Sequence, residues 1–396
     1  MAASTKTQHR EPDIRLIHNV RFRAWVIQAL VLVLLLTAAG YAVYNTGKNL
    51  QKAGVTTGFG FLEESAGFDI GLTLIQYSRN STYFRAFLVG ILNTLLVSAL
   101  SIILSTLLGF TLGVLRLSPN WLVSRMAAVY TEIIRNIPLL LQILFWYLAI
   151  LAPLPGPRQA LELLTGFFLC NRGLIMPQPV PEPGFYFTLT ALLVALVFCI
   201  LLWRWNRRRQ KQTGRVLPVY RLSFLILIGL PLAIHFVAGS PLHWEMPALK
   251  GFNFQGGMTL LPELIALWLA ISLYAATFIG EFVRSGILAV HKGQMEAAQA
   301  LGYRPFLAYR LIIIPQAMRV VTPPLISQYL TIVKNSSLAV VIGYPDLVHV
   351  FAGTALNQSG QAVEIIAMTM AVYLVVSLII SLFMNWFNQK YVLKGG

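Results

Sequence analysis

Long apolar runs alternating with short polar connections organise this chain. Eight runs stand out, at residues 24–44, 84–115, 130–151, 185–203, 220–238, 261–283, 320–342 and 363–386. Roughly 20 apolar residues, rising about 1.5 Å each in a helix, cross a hydrocarbon core. Isolated strands cannot satisfy their backbone in lipid. The pattern predicts an all-α polytopic membrane protein with about eight transmembrane helices. The second run is long enough to tilt or protrude. The seventh is interrupted by Pro323, Pro324, Lys334 and Asn335. The first is read as an uncleaved anchor, because its lead-in and its apolar stretch are both long for a signal peptide.

The connections differ in kind. Residues 152–184 carry Pro153, Pro155, Pro157, Pro177, Pro179, Pro181 and Pro183, a density that predicts an extended, stiff segment. A short amphipathic helix is expected within 45–83. The chain divides into a tail, anchor and outer segment (1–83), a first core part (84–151), an insert with two extra helices (152–260), and a second core part (261–396) holding a polar loop at 291–316.

Composition agrees with a membrane as solvent. The chain is 57% hydrophobic and 11% charged, with mean hydropathy +0.70, where soluble domains carry about 25% charged residues. The net charge of +16 does not indicate nucleic acid, because Lys and Arg cluster just beyond the apolar runs. Lys6, Arg10, Arg15, Arg21 and Arg23 lead in. Arg204, Arg207, Arg208, Arg209, Lys211, Arg215 and Arg221 fill one turn, and Lys390 and Lys394 end the chain. With both termini cytoplasmic and an even number of spans, 22 of the 30 basic residues fall inside. Cys170 and Cys199 lie in different environments and are not expected to pair, and no metal-ligand spacing occurs.

The polar loop carries the most specific chemistry. Residues 294–301 are good helix formers, with Glu296 expected in the first turn. Gly302 suits a left-handed C-cap, and Pro305 suits a second helix start. The loop therefore reads as two short helices meeting at Gly302, Tyr303 and Arg304. Ala297, Ala298 and Ala300 would leave one surface smooth. Met295, Leu301, Phe306 and Tyr309 would supply apolar anchors, and Glu296, Arg304 and Arg310 rim charges. An ordinary loop lying on the headgroups fits the same residues.

Glu296-Ala297-Ala298, three residues, Gly302, nine residues, Ile312, one residue, then Ile314-Pro315 resembles the coupling-loop signature of ABC-importer permease subunits. Ile314 replaces the family's Leu. The segments GILNTLL (90–96), YTEIIRNIPLLLQ (130–142), AATFIGEFVRSGI (275–287) and KNSSL (334–338) resemble permeases of polar amino-acid importers. The likeness covers about half the chain. With an anchor and two inserted helices added to a five-helix, type I, HisM-type core, the layout resembles the larger permease of the general L-amino-acid importers, the AapQ/BztB type. The resemblance implies a bacterial inner-membrane subunit that moves L-amino acids by alternating access. It implies an ATPase homodimer holding ATP and Mg2+, a second related permease, a periplasmic amino-acid-binding protein and membrane lipid as partners. It also implies no cofactor on this chain.

Polar groups at membrane depth are candidates for a substrate path: Asn93, Thr94, Gln142, Glu281, Gln328, Asn335 and Ser336. Glue between helices is an equal reading of each, and Pro323–Pro324 would free backbone groups to line the path. Glu281 with Arg284, and Glu132 with Arg135, are three apart and read as ion pairs at helix ends. Gly109 and Gly113 permit a close helix contact. No phosphate-binding loop is present, so ATP is not expected to bind here. An ion-coupled secondary amino-acid transporter remains the alternative, though the acids lie toward run ends and no repeated halves are seen.

Overall fold

The computed structural model describes residues 20–52, 58–214 and 217–389. Lys6, Arg10, Arg15, Arg215, Lys390 and Lys394, which enter the charge argument, lie outside these residues. The helical elements are α1 (Val20–Lys52), α2 (Tyr83–Leu115), α3 (Trp121–Asn136), α4 (Leu139–Leu144), α5 (Phe185–Thr213), α6 (Val219–Val237), α7 (Pro262–Leu288), α8 (Lys292–Ala300), α9 (Pro305–Ala308), α10 (Ile314–Asn335), α11 (Leu356–Ser359) and α12 (Ala362–Phe387). Among the described residues, seven stretches are long and apolar enough to cross a membrane. The α3–α4 pair makes an eighth if counted as one span.

The centre is built by α2, α7, α10 and α4 around Val97, Ile143, Leu267, Ile271, Ile332 and Tyr344, all buried. Small residues decide how close α2 and α7 come. A Cβ on Gly109 would stand 2.5 Å from the Cβ of Ile279, and one on Gly113 would stand 2.6 Å from that of Val283. The weak small-residue pair of the sequence is thus a packing requirement, since only hydrogen fits where the two backbones approach.

Two expected spans are drawn differently. Residues 130–151 are not one helix, because α3 and α4 meet at 101° across Ile137 and Pro138. Pro138 lacks an N–H and forces Ile137 into extended backbone, at φ −92° and ψ 126°. The Pro323–Pro324 break is absent: α10 runs through both residues from Ile314 to Asn335. The neighbouring Thr322, Leu325, Ile326 and Gln328 are buried, so tertiary packing holds the helix across two missing N–H groups.

The proline-rich connection is extended, as expected, but it folds. Strands β1 (Leu161–Leu164), β2 (Phe167–Cys170) and β3 (Gly173–Met176) form an antiparallel meander. β3 also pairs with β8 (Met258–Leu260), from the far side of the two inserted helices. Between them, β4 (Gln178–Pro181) pairs with β5 (Leu242–Glu245), and β6 (Ala248–Lys250) with β7 (Asn253–Gln255). Both arms of the insert are stitched into one unit beside the start of α5 and the end of α6. Cys170 and Cys199 are both free.

No amphipathic helix is described at 45–83, where α1 extends to Lys52 and Gly60–Glu63 is a single 3₁₀ turn. Residues 53–57 lie outside the described residues. Within this segment the Tyr77 hydroxyl donates to the Phe68 carbonyl at 3.0 Å. Burial, with Asp69 and Tyr83 nearby, pushes its phenol up to about 12.

The helix ends sort into two sides. Phe68–Gly71, Leu261, Glu263, Gly343 and His349 share a cavity of about 220 Å³. Leu117, Ile287, Phe306 and Tyr309 share another at the opposite ends of α2 and α7. The β unit therefore lies on one side and the 291–316 loop on the other.

Candidate functional site

The loop forms a bent elbow. His291 caps α8, its Nδ1 accepting from the Gly293 N–H at 3.1 Å. The helix starts two residues earlier than expected, which moves Glu296 out of the first turn. At the other end the Tyr303 N–H donates to the Ala298 carbonyl and the Gly302 N–H to that of Gln299, at 3.0 and 2.9 Å. This is the paired closure that needs a left-handed residue, and Gly302 supplies it at φ +78°. Arg304 then precedes α9, whose first residue is Pro305. The second arm is not a separate short helix. It passes through a π-helical turn at Tyr309–Ile313 straight into α10.

Side chains on the elbow face two ways. Glu296, Ala297, Ala300, Gly302, Tyr303, Arg304 and Pro315 are exposed, Ile312 is half-buried and Ala298 is buried. Ala298 is therefore part of the inner packing and not of the smooth outer surface expected of it. Leu301 and Phe306 are 77% and 74% exposed, so the elbow presents two large apolar side chains beside Arg304. A weak bond from Gln316 Nε2 to Gln294 Oε1, at 3.4 Å, ties α8 to the start of α10.

Just behind the elbow, Glu281 on α7 accepts from both Arg284, at 2.5 Å, and Arg116 beyond α2. The sequence reading missed Arg116, because a pairing across 165 positions leaves no local spacing to read. The expected Glu132–Arg135 bridge is not seen among the described residues. Arg135 instead stacks over the Phe278 ring at 5.1 Å. Glu281 is occupied as an ion-pair hub. Glu281→Gln is expected to lower stability by about 1–2 kcal/mol, since the groups are partly exposed, and to leave substrate preference unchanged. A thermal melt alongside a competition-uptake profile checks this, and a changed profile at unchanged stability would reverse it.

The substrate-path residues do not line one cavity. Asn93 Nδ2 donates to the carbonyls of Leu72 and Pro345, both at 2.8 Å, and the Leu347 N–H donates to Thr94 Oγ1 at 3.0 Å. These residues pin a turn at 343–347 against α2, where Gly90 lets the Leu347 backbone come close. Ser336 is buried and bonds back to the Val333 carbonyl at 2.7 Å. Gln142 Nε2 donates to the carbonyls of Ile134 and Ile137, which caps α3 at the bend. Gln328 is buried on α10 and Asn335 half-buried at its end. The pinned turn contains a fully buried acid that the sequence reading passed over, Asp346. Its Oδ1 accepts from the His349 N–H at 2.8 Å and its Oδ2 from the Tyr373 hydroxyl at 3.4 Å. The Gly343-Tyr344-Pro345-Asp346 turn signature was the available clue. No cluster of three or more metal-binding side chains occurs among the described residues.

Residues 105–392, elbow and insert included, match the model of the family described as the binding-protein-dependent transport system inner membrane component. The chain belongs to this family. It is a multi-pass membrane protein of the permease class, as the resemblance implied. YhdX of Escherichia coli (strain K12) is 52% identical over 372 residues, covering 94% of this chain and 95% of its own. The general L-amino acid transport system permease protein AapQ of Rhizobium johnstonii is 47% identical, covering 94% and 93%. The glutamate/glutamine/aspartate/asparagine transport system permease protein BztB of Rhodobacter capsulatus is 41% identical, covering 96% of each. These relatives align with this chain along nearly their whole length.

Proposed function

We propose that this chain is one permease subunit of an ATP-driven importer that carries L-amino acids into the cytoplasm by alternating access. The elbow carries this reading: an exposed, two-armed projection with apolar tips, continuous through its second arm with a core helix. Such a projection suits a groove on a separate ATPase, with Glu296, Ala297, Gly302, Tyr303 and Arg304 at the contact and Ile312 and Pro315 joining it to α10. ATP and Mg2+ would reside on an ATPase homodimer, and a second related permease would complete the path. A periplasmic binding protein would deliver substrate to the side of the β unit. The elbow and both termini are assigned to the cytoplasm, in keeping with the 22 basic residues placed there. Within the path, Asn93, Thr94 and Ser336 are assigned to holding the outer turn and Gln142 to holding the α3–α4 bend. Gln328 and Asn335 remain as candidates for touching substrate.

Family membership favours this reading over an ion-coupled carrier. The complete complex in proteoliposomes, with its binding protein inside or outside as required, should take up labelled L-amino acids only when ATP and the ATPase are present. Uptake driven by an ion gradient without the ATPase would overturn it.

A further inference from the structure

The α5–α6 hairpin is chemically unlike the rest of the chain. No Asp or Glu occurs between Glu182 and Glu245, while Arg204, Arg207, Arg208, Arg209, Lys211, Arg215 and Arg221 gather around its turn. None of the described ion pairs involves them. The two helices pack chiefly on each other, so their remaining faces are open. Asn206 is buried, and its Oδ1 accepts from the Leu217 N–H at 3.3 Å, which folds the turn back on α5. The Arg207 and Arg209 guanidinia stack over the Trp203 and Trp205 rings at 4.0 and 5.2 Å.

One face of α5 combines two features. Leu193, Val194, Val197, Phe198 and Leu201 line a groove of about 360 Å³. Continuing by helical steps of three and four, Leu201 leads to Arg204, Trp205 and Arg208, all exposed. An exposed apolar strip of α5 thus ends in a tryptophan and two guanidinia. Among the described residues neither Arg204 nor Arg208 belongs to an ion pair, and a phosphodiester is the complementary anion at that depth.

We propose that this face binds an anionic phospholipid of the inner leaflet, an acyl chain lying along Leu193–Leu201 and the phosphate between Arg204 and Arg208. The assignment rests on the orientation given under Proposed function, with the Gly214 turn cytoplasmic. An impermeant maleimide offered to Gln212→Cys in right-side-out vesicles tests that orientation separately, and labelling there would overturn both.

The complete complex is reconstituted in nanodiscs of phosphatidylethanolamine with a minority of phosphatidylglycerol, and retained lipid is counted by native mass spectrometry. Phosphatidylglycerol should be enriched over its share of the disc. Its apparent affinity should fall about thirtyfold in Arg204→Gln/Arg208→Gln, roughly fivefold per arginine. Leu201→Trp, which fills the groove and keeps every charge, should also displace it. Equal retention in wild type and both variants overturns the proposal. So does displacement of the lipid by millimolar inorganic phosphate, which would mark a free-anion site. Loss of the ATPase subunit from the arginine variant with lipid retention unchanged also overturns it, because the cations would then serve a protein contact.

Discussion

Gly302→Val is expected to abolish most ATP-dependent uptake while leaving membrane insertion intact. A side chain here would meet no atom within 4 Å, so crowding is not the issue. The backbone angle is: φ is +78°, where a β-branched residue is strained by roughly 1–2 kcal/mol. Relief comes by unwinding the closure onto Ala298 and Gln299, which swings α9 and its Phe306 away from α8. A rigid two-armed projection would become two loosely hinged pieces. Uptake and co-purification of the ATPase should both fall on the order of tenfold, matching a loss of about 1.4 kcal/mol. Gly302→Asn, which tolerates the left-handed region, should lie between. The docking role would be refuted by a valine variant that retains full ATPase association and uptake.

Gly109→Val should have the larger effect on the protein itself. Its Cβ would sit 2.5 Å from Ile279 Cβ and 3.1 Å from the Ala276 carbonyl oxygen, and a backbone oxygen cannot step aside as a flexible side chain can. Separating α2 from α7 also disturbs Gly113 against Val283 and the Arg116–Glu281 pair just beyond. A cost of about 3 kcal/mol or more is expected, seen as loss of the monodisperse peak on size exclusion and a lowered melting temperature. Gly109→Ala should be milder, and adding Ile279→Ala should recover part of the loss. A Gly109→Val protein with wild-type melting would show that the two helices are not held at this distance.

Much of the architecture was legible because lipid makes apolar length decisive. The spans at 84–115 and 363–386 lie within observed helices, that at 261–283 begins one residue before α7, and the Gly302 closure follows from one residue's backbone freedom. What escaped was decided at long range. Pro138 breaks its span while Pro323 and Pro324 do not break theirs, although each lacks an N–H. The difference is the packing around α10, which no local pattern encodes. The prolines of 152–184 correctly forbade a helix, but pairing of β3 with β8 joins segments on either side of two helices and leaves no periodic trace. Asn93 and Gln142 looked like substrate ligands because a polar group in an apolar run invites that reading. Each instead serves carbonyl groups that a bend or a tight turn leaves unpaired.

The wide turn at Tyr309–Ile313 has a mechanical consequence. A π-helical turn holds one residue more than its α-helical neighbours, and each residue advances the helix by about 100°. Letting that surplus migrate along the rod re-aims every side chain it passes while the ladder on either side stays closed. On the proposed docking of Phe306 against an ATPase, the link to α10 would act as a screw joint, and thrust at the tip would reach α10 partly as torque.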